Sequence, residues 1–103
     1  MWDFLQIIGS IYDDINCYEP GKDYTGNDLN DGYNTLKDSA KECQELCQQN
    51  SACVGFTWVK DRLSDKGREC WLKSHMDNFT YNDDVVSGPR YCGMLIGNIH
   101  RNI

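Results

Sequence analysis

The spacing of apolar positions in the middle of the chain predicts one helix. Cys43 and Cys47 lie four residues apart on the apolar face of residues 39–50, while most other positions there are polar. Ser39 and Glu42 match the capping box, in which the Ser hydroxyl accepts the amide of Glu42 and the Glu carboxylate accepts the amide of Ser39. We therefore expect a helix over 39–50 that directs two sulfur atoms inward from successive turns.

After the helix, β-branched and aromatic residues predict strands. Residues 53–59 and 69–73 are each typical of a strand, and the charged segment 60–68 between them makes the pair a hairpin with a long loop. Residues 77–84 are polar and predict no element. A last apolar segment begins at Val85 and Val86, and Ser-Gly-Pro at 87–89 predicts a turn within it.

Before the helix, turn-forming residues dominate. Residues 17–38 contain several Gly, Asn and Asp clusters, and Pro-Gly at 20–21 is typical of a turn. Short strands are expected at 17–18 and 33–36. The N-terminal segment 1–16 is rich in β-branched and aromatic residues, which favour a strand.

Six cysteines indicate how so short a chain is stabilised. They lie at positions 17, 43, 47, 53, 70 and 92, without the Cys-x-x-Cys pair that redox enzymes and structural zinc sites use. This pattern indicates disulfides, which persist in oxidising surroundings. We therefore predict a secreted or extracellular protein. No signal peptide pattern is visible, so the sequence would be a mature or excised piece.

Charge narrows the class of partner. The 103 residues include ten Lys and Arg against sixteen Asp and Glu, a net charge of −6, and the basic residues form no cluster. Nucleic acids and anionic membranes require concentrated basic surface. No apolar run approaches the length of a membrane span. We therefore expect one domain with neither a nucleic-acid partner nor a membrane span.

Several motifs, taken in their order along the chain, resemble the PAN/Apple domain family. They are Cys17, Gly26-Asn27-Asp28-Leu29, Ser39-Ala40-Lys41-Glu42-Cys43-Gln44-Glu45-Leu46-Cys47, Cys53, Phe56-Thr57-Trp58, Cys70-Trp71-Leu72-Lys73-Ser74, Val86-Ser87-Gly88-Pro89 and Cys92. The resemblance covers residues 17–92. It implies an α+β fold in which a curved antiparallel β-sheet cradles one α-helix and three disulfides staple the two together.

The resemblance also implies how the cysteines pair and how the chain is organised. It implies the disulfides Cys17–Cys92, Cys43–Cys70 and Cys47–Cys53, whereas the cysteine count alone leaves fifteen pairings open. The predicted PAN/Apple-like domain, 17–92, is preceded by an apolar strand extension, 1–16, and followed by an apolar extension, 93–103. These ends either add strands to their own sheet or pair with a neighbouring copy, and we favour the neighbouring copy.

No constellation in the sequence predicts catalysis, a cofactor or a metal. His75 follows Cys70 closely, but a disulfide-bonded sulfur cannot bind a metal as a thiolate. Acidic pairs such as Asp83 and Asp84, or Asp28 with Asp31, lack the alternation of oxygen ligands around a glycine that a calcium loop needs. We interpret them as solvated turn residues.

Three features remain as candidates for modification or recognition. Asn78 begins an Asn-Phe-Thr sequon for N-linked glycosylation. Trp58 and Trp71 lie on the two hairpin strands, where they could form a platform for sugar rings, although we favour packing against the helix. The charged loop 60–68 is either a recognition loop or a solvated connection.

The resemblance implies an extracellular, non-catalytic module for adhesion to proteins or glycans, as in the Apple repeats of clotting proteases and in parasite surface lectins. The alternative is a structural subunit whose copies assemble through 1–16 and 93–103 into an extracellular oligomer or fibril. An enzyme ranks third, because no nucleophile or site is found. A sizing column would separate the first two hypotheses.

Overall fold

The computed structural model of the protein describes residues 17–60 and 67–92. Four antiparallel strands and one α-helix make up this part of the chain, and the strand order in the sheet is β1-β4-β2-β3. The elements are β1 (Glu19–Tyr24), α1 (Ala40–Gln48), β2 (Gly55–Val59), β3 (Cys70–Lys73) and β4 (Phe79–Pro89). The predicted α+β fold, with one helix, an antiparallel sheet and three disulfides, is confirmed.

The capping box starts α1 as the sequence predicts, with one difference. The Ser39 hydroxyl accepts the amide of Glu42 at 3.1 Å, but the Glu42 carboxylate accepts the amide of Asp38 at 3.2 Å and not that of Ser39. Ser39 is extended, with φ −154° and ψ 161°, and the preceding amide lies within reach of the carboxylate. The helix ends at Gln48, two residues earlier than expected.

Strands β2 and β3 divide their side chains between two faces, as the period of a strand requires. Phe56 and Trp58 on β2, with Cys70 and Leu72 on β3, are buried in the core with α1. The alternate residues of the two strands point away from the helix. We call that side the open face; it carries Thr57, Val59, Trp71 and Lys73.

Strand β4 lies in the middle of the sheet, which corrects two predictions. Residues 77–84 were expected to form no element and 87–89 to form a turn, yet β4 runs from Phe79 to Pro89. The hydroxyls of Ser87 and Thr57 hydrogen bond at 2.7 Å, and the Ser87 hydroxyl also donates to the Lys22 carbonyl at 2.5 Å. These bonds allow a polar residue to be buried inside the sheet.

Two further predictions before the helix are wrong. The short strand expected at 17–18 is absent, and β1 begins at Glu19 instead. It passes through Pro20 and Gly21, where a turn was expected, at an irregularity in its pairing with β4. Gly21 has a φ of +84° there, a backbone region that glycine enters without steric cost. Residues 33–36 form no strand either, because the Asp31 carboxylate caps a 3₁₀ helix over Gly32–Asn34.

Two of the three disulfides tie the helix to the hairpin region, and the third ties the two ends of the described domain to each other. Cys43–Cys70 connects α1 to β3, Cys47–Cys53 connects α1 to the segment before β2, and Cys17–Cys92 joins the two ends. The predicted extensions, 1–16 and 93–103, lie outside the described residues, so the three-part organisation of the chain stays a prediction.

Candidate ligand-binding groove

A groove of about 300 Å³ lies on the open face of the sheet. The outer strand β3 contributes Trp71 and Lys73 to its lining, Glu69 immediately precedes that strand, and the loop before α1 contributes Asp28 and Tyr33. No α-helix of residues 17–60 and 67–92 packs on this side, because α1 packs with the core on the other face. The groove is therefore a concave surface of the described domain that a ligand can enter.

Trp71 forms the aromatic wall of the groove. Its indole N–H donates to the Glu69 carboxylate at 3.1 Å, and the Tyr33 ring meets it edge-on with ring centroids 4.8 Å apart. Our expectation that both hairpin tryptophans pack against the helix is correct only for Trp58, which is buried and donates to the Lys37 carbonyl at 2.8 Å. Trp71 is half-buried on the opposite face.

Gly32 lies directly against the Trp71 ring, at a position with no room for a side chain. A Cβ atom on Gly32 would lie 2.2 Å from Cδ2 of the indole, well inside van der Waals contact. We expect Gly32→Ala to displace the Trp71 ring and to lower the free energy of unfolding by about 1 to 3 kcal/mol. The Trp71 indole N–H resonance should move strongly, whereas that of Trp58 serves as the internal control. Unchanged resonances for both rings would contradict the contact.

Lys73 is the one cationic side chain among the described residues of the groove. It is only 4% exposed, and its ammonium donates to the Asp28 carboxylate and to the Gly26 carbonyl, the latter at 3.1 Å. The turn at Gly26 and Asn27, with φ of +78° and 57°, brings these acceptors beside β3. The Gly26-Asn27-Asp28-Leu29 motif therefore provides the counter-charge for a buried lysine.

Carboxylates outnumber this ammonium. Four line the groove, those of Asp23, Asp28, Glu69 and Asp84. Glu69 is 5% exposed, and the hydrogen bond described for its carboxylate comes from the neutral indole of Trp71. A buried carboxylate is stabilised most by a cation beside it, because burial removes the water that would otherwise screen it.

Tyr24 borders the groove and has a perturbed phenol. Burial, followed by the hydrogen bond from its hydroxyl to the Glu19 carboxylate at 2.6 Å and by the charge of Glu19, raises the pKa of Tyr24 to about 12 from an ordinary value of 10.0. The folded state therefore favours the neutral phenol, and this contribution to stability is complete below pH 10. It is lost as the pH rises toward 12.

We expect an alkaline titration of tyrosinate absorbance to contain one component with a pKa near 12, absent from the Tyr24→Phe variant. The free energy of unfolding of the wild type should also fall relative to that variant between pH 10 and 12. If the component that Tyr24→Phe removes from the titration had an ordinary pKa near 10, the assignment to Tyr24 would be contradicted.

The other residues considered from the sequence do not join the groove, apart from Asp28 and Asp84. His75 and Asp83 are exposed, and the groove lining does not include them. Within residues 17–60 and 67–92, no group of three or more His, Cys, Asp or Glu side chains is arranged to hold a metal ion. Most of the charged loop 60–68 lies outside the described residues.

Sequence reasoning did not single out Tyr33, Glu69 or Lys73. A signal for Glu69 and Lys73 was present, because the expected Cys43–Cys70 disulfide turns Cys70 toward the helix, and the strand period then places residues 69, 71 and 73 on the opposite face. The pairing of Lys73 with Asp28 had no such signal, since 45 residues separate them.

Comparison with known families identifies the class of this domain. The family model of the PAN domain matches residues 22–73, which is just over half of the chain, and the chain belongs to that family. The matched segment runs from β1 to the end of β3 and includes Tyr33, Trp71 and Lys73. No curated protein matches the sequence.

Two general statements follow from the family and the fold. PAN domains are generally modules that bind proteins or carbohydrates, and they are typically non-catalytic. In the part of the chain that the structure describes, no helix is sufficiently long and apolar to cross a bilayer.

Proposed function

We propose that this protein is an extracellular, non-catalytic binding module that takes a protein ligand in the groove on the open face of its sheet. Three disulfides support an oxidising location, and family membership supports a binding role. The observation that carries the proposal is the groove itself, a concave surface with an aromatic wall and several buried polar groups. Sites of this kind are typical of ligand recognition.

Substitution of Tyr33 tests the proposal without changing a residue of the core. It is 64% exposed and packs on Trp71, whereas Tyr81, which is 83% exposed, lies away from the groove lining. We would probe arrays of purified extracellular proteins and of glycans with the wild type and with Tyr33→Ala and Tyr81→Ala variants. A protein ligand that is lost only with Tyr33→Ala supports the proposal. Binding that both variants retain would place the ligand site elsewhere.

Carbohydrate is the second candidate ligand. The pair of aromatic rings, Trp71 and Tyr33, borders carboxylates and the amide of Asn82, and side chains of these types bind the apolar faces and the hydroxyls of sugars. The excess of carboxylates disfavours sulfated or sialylated chains and leaves neutral sugars. Retention of neutral glycans on the array, again lost only with Tyr33→Ala, would favour this candidate over a protein ligand.

We also propose that Asn78 carries an N-linked glycan in a eukaryotic secretory pathway. Asn78 is exposed and immediately precedes β4, and Thr80 of the sequon is exposed as well. Expression in secreting eukaryotic cells should give a mass increase that a glycosidase for N-linked chains removes. The Asn78→Gln variant should lack the increase, and an unmodified wild type from these cells would refute the assignment.

The alternative function, assembly through 1–16 and 93–103 into an oligomer or fibril, depends on segments outside the described residues. Its test is the elution volume of the full chain at increasing protein concentration. A concentration-dependent shift to large species, abolished by removal of both segments, would support assembly.

A further inference from the structure

We infer that the groove selects a cationic side chain, so that the ligand is a protein segment presenting an exposed Arg or Lys. This inference rests on the proposed function, because it names the chemistry that the same groove would recognise. It depends on three observations: the arrangement around Lys73, the burial of Glu69 and the charge of the groove lining.

The groove already binds one ammonium group, that of Lys73, through the types of partner that a cationic ligand would require. Nζ of Lys73 lies between the Asp28 carboxylate and the Gly26 carbonyl, and 5.9 Å from the centroid of the Trp71 ring. A carboxylate, a carbonyl and an aromatic face together are the partners that bind ammonium and guanidinium groups in proteins. The chemistry of the groove is therefore suited to cations.

Glu69 is the group that a ligand cation would pair with. Its carboxylate is nearly buried on the groove wall, and the described ion pairs leave it without a cation: Lys73 pairs with Asp28, and Arg68 pairs with Asp38 at 2.9 Å. Among residues 17–60 and 67–92, the hydrogen-bond donor to the Glu69 carboxylate is the neutral indole N–H of Trp71. An arriving guanidinium would replace the missing counter-charge and lie beside the Trp71 ring.

The charge of the lining favours such a ligand over an acidic one. Even without Asp84, the three carboxylates of Asp23, Asp28 and Glu69 against the one ammonium of Lys73 give a formal charge of −2, from −3 and +1. The whole chain is also acidic, with a net charge of −6. Opposite charge guides the approach of a basic partner and disfavours acidic partners, and this effect weakens as the salt concentration rises.

The test is an NMR titration of the oxidised full chain with two blocked tripeptides, Gly-Arg-Gly and Gly-citrulline-Gly. Citrulline has nearly the same shape as Arg but replaces the guanidinium by a neutral ureido group. We expect the Arg peptide to shift the Trp71 indole N–H resonance saturably, with the Trp58 resonance unchanged, and the citrulline peptide to bind about tenfold more weakly. Equal shifts with both peptides, or no saturable shift with the Arg peptide, would overturn the inference.

Two charge-matched variants locate the interaction. Glu69→Gln keeps an acceptor for the Trp71 indole and should weaken binding of the Arg peptide about tenfold. Glu45→Gln removes the same charge from an exposed position on α1 and should leave the affinity unchanged. Equal losses in the two variants would show a non-specific charge effect and refute the site. If the arrays identify a ligand that depends on Tyr33 while the Arg peptide does not bind, the proposed function stands and only this inference fails.

Discussion

Reduction of the three disulfides is expected to unfold the described domain. Their cysteines are separated by 75, 27 and 6 residues, and loop-closure entropy assigns to the three together about 10 kcal/mol of stabilisation. That is comparable to the entire net stability of a domain of this size, about 5 to 15 kcal/mol. Since the reduced chain would have to fold on its small core alone, the unfolded state should dominate.

Near-UV circular dichroism and amide resonance dispersion measure this outcome directly. Both should collapse when a thiol reductant is added and return on reoxidation, while the oxidised form of the reductant, as the control, should change neither. A peptide map of the native protein without reduction is expected to give Cys17–Cys92, Cys43–Cys70 and Cys47–Cys53. A reduced protein that keeps a dispersed spectrum would mean that the core folds without its cross-links.

Variants that replace both cysteines of one disulfide are expected to rank the disulfides by their contribution to the free energy of unfolding. Replacement of both Cys47 and Cys53 by Ala opens the shortest loop and should cost about 2 kcal/mol, which the domain can tolerate. Replacement of both Cys43 and Cys70 should cost about 4 kcal/mol, because the loop is longer and both sulfurs are fully buried. If the first pair of substitutions proved the more damaging, loop-closure entropy could not be the main source of stability.

The helix and the hairpin could be predicted because local signals specify them. Ser39 and Glu42 start α1, and the β-branched and aromatic residues of 53–59 and 69–73 mark β2 and β3, which pair antiparallel. In the folded domain the period of these strands separates the core face from the open face. What these signals could not supply was the pairing of β4 with β1 and β2, because that pairing depends on contacts between residues far apart in sequence.

Strand β4 shows why the remainder was missed. Its first half, Phe79 to Asp84, is largely exposed and ends in Asn-Asp-Asp, which is typical of a loop. Its second half contains Ser87 and Gly88, which are turn residues in most contexts. Here Ser87 pairs with Thr57, and Gly88 lies where a Cβ atom would be 3.0 Å from the Phe56 ring. Both features arise only once the strands are packed.

The groove also depends on contacts between residues far apart in sequence. The strand period of β3 places Trp71 and Lys73 on one face, but the groove becomes a site only when the loop before α1 adds Asp28 and Tyr33 to it. Leu29 donates its amide to the Leu72 carbonyl at 2.8 Å, which attaches that loop to the strand. The binding chemistry is thus set by long-range contacts, whereas the fold that presents it is set largely by local ones.

Phe56 is the aromatic residue at the centre of the core. Phe56 is fully buried at 0% exposure, meets the Tyr18 ring edge-on at 5.9 Å and packs beneath Gly88. We expect Phe56→Ala to lower the free energy of unfolding by about 3 to 5 kcal/mol, because the cavity left at the centre of the sheet cannot be filled by the disulfide-fixed residues around it.

Phe79→Ala is the matched control for this substitution. It removes the same ring from β4 at a position that is 38% exposed, where Phe79 contacts Tyr24 and the exposed Tyr81, and it should cost about 1 kcal/mol. Urea unfolding of the oxidised proteins, compared at a common m-value, measures both changes. Equal losses for the two variants would mean that Phe56 is not the centre of the core. A clearly larger loss for Phe56→Ala than for Phe79→Ala would support the position of Phe56 at the centre of the core beneath the sheet that carries the groove.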